Sequence, residues 1–325
     1  MTAQLIALDW GTTSLRAYRL GEQGQVLEQR SLSAGIMQLP DTPRLIAGEL
    51  CSNGFELAFD QACGDWLDAQ PELPVIACGM VGSAQGWREA VYRETPASVH
   101  ELSAALQSVR SLRGVDIHII PGILQRSTLP NVMRGEETQV LGVLASLDAE
   151  SSQRPLLIGL PGSHSKWVHV IEGRIVHFDT FMTGEVYAAL CAHTILGRTM
   201  QRNESFDTGA FDCGMSIALS AEGVSGLLST IFSSRTLGLT GQLEASAQPD
   251  YLSGLLIGHE LEALTRIQQK TLEQLPAVIL IGSDSLCARY TRGLTACGFD
   301  QVTTAVQATE RGLWQVAVQA GLLAS

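Results

Sequence analysis

The chain has 325 residues, which at about 150 residues per domain leaves room for two domains, and 45 % hydrophobic residues with 32 glycines exclude a disordered chain. Charged residues make up 17 %, and no apolar run approaches the roughly 18 residues of a membrane span, so a soluble protein is expected. Asp plus Glu number 33 against 21 Lys plus Arg, a formal charge of −12, which is the wrong sign for a chain that coats nucleic acid or an anionic membrane. Any anion must therefore be held by a local device.

Met1 to Leu8 runs into an apolar strand without a basic stretch or a cleavage site, so a cytoplasmic protein is expected. Residues 5–35 read as a buried strand, a Gly-Thr turn, an alternating strand, a Gly turn and a third strand. Helices are predicted over 43–67 and 98–112, and buried strands ending in glycine over 74–79 and 115–122. Polar residues 146–155, containing SSQRP, mark a boundary. The opening pattern then returns from Leu156 to Gly184, with Gly11 answering to Gly162, Thr12 to Ser163 and Ser14 to Ser165. Helices over 184–196, 251–275 and 284–296 are predicted around a strand at 277–282, with a final helix at 308–320 packing back on the first domain. The expectation is an α/β fold with mixed sheets in two domains of like build, residues 1–150 and 151–325. Seven scattered cysteines, never spaced C-x-x-C, read as reduced thiols in the core.

Two loops carry phosphate-binding chemistry. In Asp9-Trp10-Gly11-Thr12-Thr13-Ser14 a glycine turn lets backbone N–H groups face an anion, the hydroxyls add donors, and Asp9 is placed to hold Mg²⁺. An ordinary β-turn with a buried Asp is the other reading of that loop taken alone. Gly162-Ser163-His164-Ser165-Lys166 repeats the design and brings one of only two lysines. Two such loops would clamp a polyphosphate despite the negative net charge.

Met133-Arg134-Gly135-Glu136-Glu137-Thr138 precedes an apolar helical pattern. Its carboxylates cap a helix or serve as general base for phosphoryl transfer, Glu137 first and Glu136 second. Gly282-Ser283 ends the strand at 277–282, where ligands approach open α/β sheets. Gly79 to Ser83, with Trp87 beyond, and Thr183-Gly184-Glu185 read either as surface turns or as substrate contacts. The chain lacks G-x-x-x-x-G-K-[ST], a G-x-G-x-x-G between strand and helix, and G-x-S-x-G. His169 and His177 read as strand residues, and a zinc cluster is not expected.

Together these segments resemble the sugar kinase, heat-shock chaperone ATPase and actin superfamily. More narrowly, ALDWGTTSLRAY, GMVGSAQGW, NVMRGEETQ, GSHSKWV, TFMTGEVY and LIGSDSLCARY resemble the 2-dehydro-3-deoxygalactonokinase family, in the family's order and across essentially the whole chain. The resemblance implies two actin-like (ribonuclease H-like) domains around a nucleotide cleft. It implies ATP and Mg²⁺ as cofactors, with Asp9 on the metal and Lys166 reaching a phosphate. Gly11, Thr12, Thr13 and Ser14 in one loop, and Gly162, Ser163, His164 and Ser165 in the other, would cradle phosphates, and Gly282 and Ser283 would line the adenine site. The substrate would be a 2-keto-3-deoxy sugar acid phosphorylated on its C6 hydroxyl, touched by Gly82, Ser83, Trp87, Arg134 and Glu185. An exopolyphosphatase of the same build is the rival enzyme. A sugar sensor is the non-catalytic rival, disfavoured because a DNA-binding extension has no room before the first strand. No nucleic-acid or membrane partner is expected, and the oligomeric state stays open, a homodimer being one state in view.

Overall fold

In the computed structural model, residues 2–148, 151, 154–201, 205–271 and 274–323 are described. The predicted boundary at 146–155 therefore falls partly outside them, at 149, 150, 152 and 153, and the predicted helix end at 275 is separated from its body by 272 and 273. Contacts divide the chain into one unit of Met1–Pro155, Val168–Phe178 and Val306–Ser325 and another of Leu156–Trp167 and Asp179–Ala305.

The first unit opens with β1 (Leu5–Trp10), β2 (Leu15–Leu20) and β3 (Val26–Leu32), a meander in which β2 pairs antiparallel with both neighbours. Its β1 is buried along almost its whole length, as expected of a strand covered on both faces. A small hairpin, β4 (Arg44–Ile46) and β5 (Glu49–Cys51), precedes α1 (Gly54–Ala69). This corrects the single helix predicted over 43–67. Ala47 and Gly48 both take positive φ, 50° and 86°, as the two-residue hairpin turn requires, and Asn53 caps the helix by accepting from Phe55 and Glu56 N–H groups.

β6 (Val75–Gly79) then pairs parallel with β1. β7 (Arg93–Glu94) leads to α2 (Val99–Ser103), started by a Ser98–Glu101 capping box. The helix predicted over 98–112 stops there, and β8 (Gln107–Arg110) instead closes the sheet edge against β9 (Asp116–Ile119). The sheet order is β3-β2-β1-β6-β9-β8. β10 (Ile123–Gln125) and β11 (Asn131–Met133) form a small sheet with β7 and lead into α3 (Glu136–Leu144).

The second unit contains β12 (Leu156–Leu160), the start of β13 (Ser165–Ile171) and the end of β14 (Arg174–Phe181). The helices α4 (Thr183–His193), α5 (Thr208–Leu219), α6 (Leu227–Thr230), α7 (Ser233–Leu239) and α8 (Gln248–Thr271) follow. Then come β15 (Val278–Leu280), α9 (Asp284–Ala296) and β16 (Val302–Thr304). The sheet order is β14-β13-β12-β15-β16, with β15 parallel to both neighbours. Counted along the chain within each sheet, both sheets begin third, second, first, fourth, so the repeated opening is matched by a repeated order of the first four strands, while the first sheet ends sixth, fifth and the second ends on its fifth. The α/β expectation with mixed sheets is met.

α10 (Ala308–Gln319) belongs to the first unit, against α3. A Cβ on Gly142 would come within 1.8 Å of Ala308 O, and one on Gly312 within 1.9 Å of Thr138 O, so the two helix backbones meet where neither carries a side chain. The seven cysteines are free thiols, and among the described residues no helix is long and apolar enough to cross a membrane.

Candidate active site

In the first unit the chemistry gathers at the C-terminal ends of β1 and β6 and the start of α3. Asp9 lies on β1 with Arg16 Nη1 3.2 Å from its Oδ2, and burial pushes its carboxyl up while Arg16 opposes the shift. Beyond it Gly11 N–H donates to Ser14 O at 2.9 Å and closes the turn, leaving Thr12 and Thr13 exposed. Ile36 and Met37 N–H groups donate to Gly11 O and Thr12 O at 3.1 and 3.0 Å, tying the loop to the chain after β3. That approach needs Gly35: a Cβ there would lie 2.4 Å from Thr12 backbone atoms.

Glu137 is fully buried at the start of α3. Its carboxylate accepts Gly135 N–H at 2.7 Å and Thr138 Oγ1–H at 2.9 Å. Burial first, and then the charge of Glu136, push its carboxyl up to about 8. Glu136 is half-buried and accepts Arg134 N–H at 3.0 Å. The predicted pair of carboxylates is thus differentiated by the fold, one sealed and raised, the other turned to the backbone.

Arg134 projects toward the loop after β6. Its Nη2 donates to Ala90 O at 2.9 Å and its guanidinium lies 4.3 Å from the centre of the Tyr92 ring, while Nε and Nη1 are buried without a partner. Ser83 Oγ is likewise buried without a partner. A Cβ on Gly82 would reach 3.0 Å from Arg134 Nη1, so Gly82 leaves the guanidinium its space. Of the residues predicted as substrate contacts, Gly82 and Arg134 are thus neighbours in space, with Ser83 next to Gly82 in the chain. Trp87 does not join them: its ring stacks on Phe55 at 5.8 Å and meets Trp10 and Phe59 edge-on at 5.9 Å, as part of the core.

In the second unit the Gly162–Ser165 loop sits against the start of α4. Glu185 N–H donates to Ser163 O at 3.0 Å, and a Cβ on Gly184 would lie 2.3 Å from Gly162 O. Glu185, expected among the sugar contacts, pairs here with the His164 ring through Oε2 and Nε2. Ser165 is 1 % exposed, so its hydroxyl points into the protein, 3.0 Å from Tyr290 Oη, and not toward a ligand. Lys166 is also corrected. Strand alternation places it on the opposite face from Ser165 and Trp167, 6 % exposed, with Nζ donating to Thr180 Oγ1 at 2.8 Å.

The exposed residues of the loop are therefore Ser163 and His164, while Gly162 N–H turns inward to Ser165 Oγ. Beside Gly162 a cavity of about 180 Å³ runs between α4, α8 and α9, lined by Gly184, Tyr187, Leu256, Leu286 and Arg289 among others. Gly282 and Ser283, expected at an adenine site, are exposed at the start of α9 and do not line that cavity, whereas Leu286 and Arg289 of the same helix do.

Sequence reasoning missed Glu260. Its carboxylate, 3 % exposed on α8, accepts Trp167 Nε1–H at 2.8 Å, Tyr290 Oη–H at 2.8 Å and the Thr183 hydroxyl. Its signal was a lone carboxylate on the apolar face of LLIGHELEAL, between Ile257 and Leu264.

The family model for 2-keto-3-deoxy-galactonokinase matches residues 9–316. A protein of Rhizobium meliloti (strain 1021) named "Probable 2-dehydro-3-deoxygalactonokinase" is 35 % identical over 323 residues, 98 % of this chain and 95 % of that one. The 2-dehydro-3-deoxygalactonokinase of Escherichia coli (strain K12) is 34 % identical over 94 % of each chain. A crystal structure of a Sinorhizobium meliloti protein, 33 % identical, superposes with a TM-score of 0.81 over 96 % of this chain and 98 % of that one.

Proposed function

The chain belongs to the 2-dehydro-3-deoxygalactonokinase family, and from that premise we propose how its residues divide the ATP-dependent phosphorylation of 2-dehydro-3-deoxygalactonate. In the first unit Arg134 and Ser83 would receive the acid. The observation that carries this is the buried, unpartnered set of Arg134 Nε, Arg134 Nη1 and Ser83 Oγ, donors that match a carboxylate.

Glu137 is the proposed base. A carboxyl raised to about 8 accepts a proton more readily than an ordinary glutamate, and the attacking alcohol would replace one of its two internal donors. The C6 oxygen forms a bond to the γ-phosphorus as the bond from that phosphorus to the bridging oxygen breaks. The hydroxyl proton passes to Glu137, and ADP leaves.

For the nucleotide, the backbone N–H groups of Thr12 and Thr13 in the first unit and of Ser163 and His164 in the second suit phosphate oxygens, while those of Gly11 and Gly162 close their own turns. Gly162 leaves open space where a Cβ would stand, and the adjoining cavity offers apolar walls with Arg289 for the adenosine. Asp9 fits Mg²⁺, since one carboxylate with phosphate and water completes its usual oxygen shell, and the bound ion would neutralise phosphate charge. Lys166, Trp87 and Glu185 take no direct catalytic part in this reading. Free thiols suit a reducing cytoplasm. A coupled ADP assay across keto-deoxy acids and hexoses tests the reading: turnover confined to acids supports it, and equal turnover of neutral hexoses overturns it.

A further inference from the structure

We infer that Glu260 is a positioning residue for the nucleotide: through Tyr290 its buried carboxylate sets the direction of a hydrogen-bond chain that holds the Gly162–Ser165 loop in its phosphate-binding shape. This rests on the reading of that loop as a phosphate site.

The chain follows from what each group can do. Burial pushes the Glu260 carboxyl up, and the donors gathered on it, Thr183, Trp167 and Tyr290, oppose that shift and favour its ionised form; Tyr290 Oη–H donates to Glu260 Oε2 across their 2.8 Å contact. With that proton committed, Tyr290 Oη meets Ser165 Oγ at 3.0 Å as an acceptor, and Ser165, which also interacts directly with the Glu260 carboxylate, gives its own proton inward. Ser165 Oγ then has only lone pairs for Gly162 N–H, which approaches it at 3.5 Å across the turn. One fixed polarity runs from Gly162 through Ser165 and Tyr290 to Glu260.

The same carboxylate grips the other wall of the loop. Thr183, the first residue of α4, donates to Oε2, and two residues later Glu185 N–H holds Ser163 O at 3.0 Å. Trp167, two residues past Ser165 on β13, donates to Oε1 at 2.8 Å. Glu260 is thus bonded to the strand that leaves the loop and to the helix docked on it, reaches the loop's Ser165 side chain, and is almost sealed from solvent. Core filling alone would call for an apolar side chain there, since a buried carboxylate carries a desolvation cost that only its donors offset.

The test compares wild type, Tyr290→Phe, Glu260→Gln and Gly162→Val by calorimetric titration with a non-hydrolysable ATP analogue and with 2-dehydro-3-deoxygalactonate, alongside Tm. Phenylalanine keeps the ring and removes only the relaying hydroxyl. Tyr290→Phe and Glu260→Gln should each weaken the analogue about 10-fold, the size of one lost hydrogen bond, with sugar-acid affinity unchanged. Gly162→Val tests the underlying reading, because its side chain enters open space and should abolish analogue binding with Tm preserved. Loss of binding in Gly162→Val with wild-type binding in Tyr290→Phe overturns the relay and leaves the loop as a phosphate site. Wild-type binding in Gly162→Val overturns the loop reading itself. Equal weakening of analogue and sugar acid, in step with a fall in Tm, reduces Glu260 to a structural role and also overturns the relay. Should Glu260→Gln fail to fold, Tyr290→Phe decides alone.

Discussion

Gly135 N–H donates to Glu137 Oε2 at 2.7 Å, so the carboxylate at the start of α3 is folded back onto the residue just before the helix. Together with the Thr138 hydroxyl this satisfies a side chain with no exposed surface. The arrangement makes Glu137 a group whose protonation is set by the fold, and its consequences are measurable.

Glu137→Gln should lower kcat by about 100-fold or more with little change in ATP affinity, as loss of a general base does. Glu136→Gln should retain most activity. In wild type, kcat/KM should rise with pH toward about 8 as Glu137 ionises, and this limb should vanish from the residual rate of Glu137→Gln. Steady-state pH profiles of the three proteins check it, and a fully active Glu137→Gln enzyme would remove the assignment.

Stability should move the opposite way with pH. Folded Glu137 holds its proton up to about 8, above the ordinary glutamate value of 4.5, so between those values the folded state binds more protons than the unfolded one. The stabilisation is complete below the lower value and is lost as pH rises through the upper. Tm measured from pH 5 to 8 should therefore fall more steeply in wild type than in Glu137→Gln; parallel curves would show that Glu137 is not raised.

Arg134→Met should raise KM for the sugar acid by about 10- to 100-fold, since a charge-assisted contact to a carboxylate contributes roughly 1.5–3 kcal/mol. ATP affinity should stay as in wild type. Unchanged KM for the acid would place its carboxylate elsewhere.

Asp9→Asn should shift the Mg²⁺ dependence of turnover to higher concentration. A titration that superposes on wild type would show that the metal is held without Asp9. Gly35→Ala should instead act through the loop: overpacking against Thr12 costs about 1–3 kcal/mol, lowering Tm and ATP affinity together.

The repeated opening was legible because buried alternating strands around glycine turns leave a period that survives low identity, and α9 was predicted at its observed limits. Other segments hid their structure. Arg44 to Cys51 reads as part of the helix that follows it, yet its apolar Leu45 and Leu50 are exposed and Gly48 turns the chain into a hairpin. Gln107 to Arg110 is an edge strand whose partner β9 is set by tertiary pairing. At the site, residue types indicated the loops and the glutamate pair, but not which way side chains point. Ser165 and Lys166 turn inward on opposite faces of one strand, and Glu185 goes to His164, because packing decides orientation. Glu260 needed the structure, since its donors come from residues 77 to 93 positions earlier and from Tyr290, 30 positions later.

The most direct measurement is ³¹P and ¹H NMR of the product formed from ATP and 2-dehydro-3-deoxygalactonate by the purified wild-type protein. The account predicts one phosphate ester coupled to the C6 methylene protons, appearing in equal amount with ADP. Inorganic phosphate without a sugar ester, or an ester on another carbon, would contradict it.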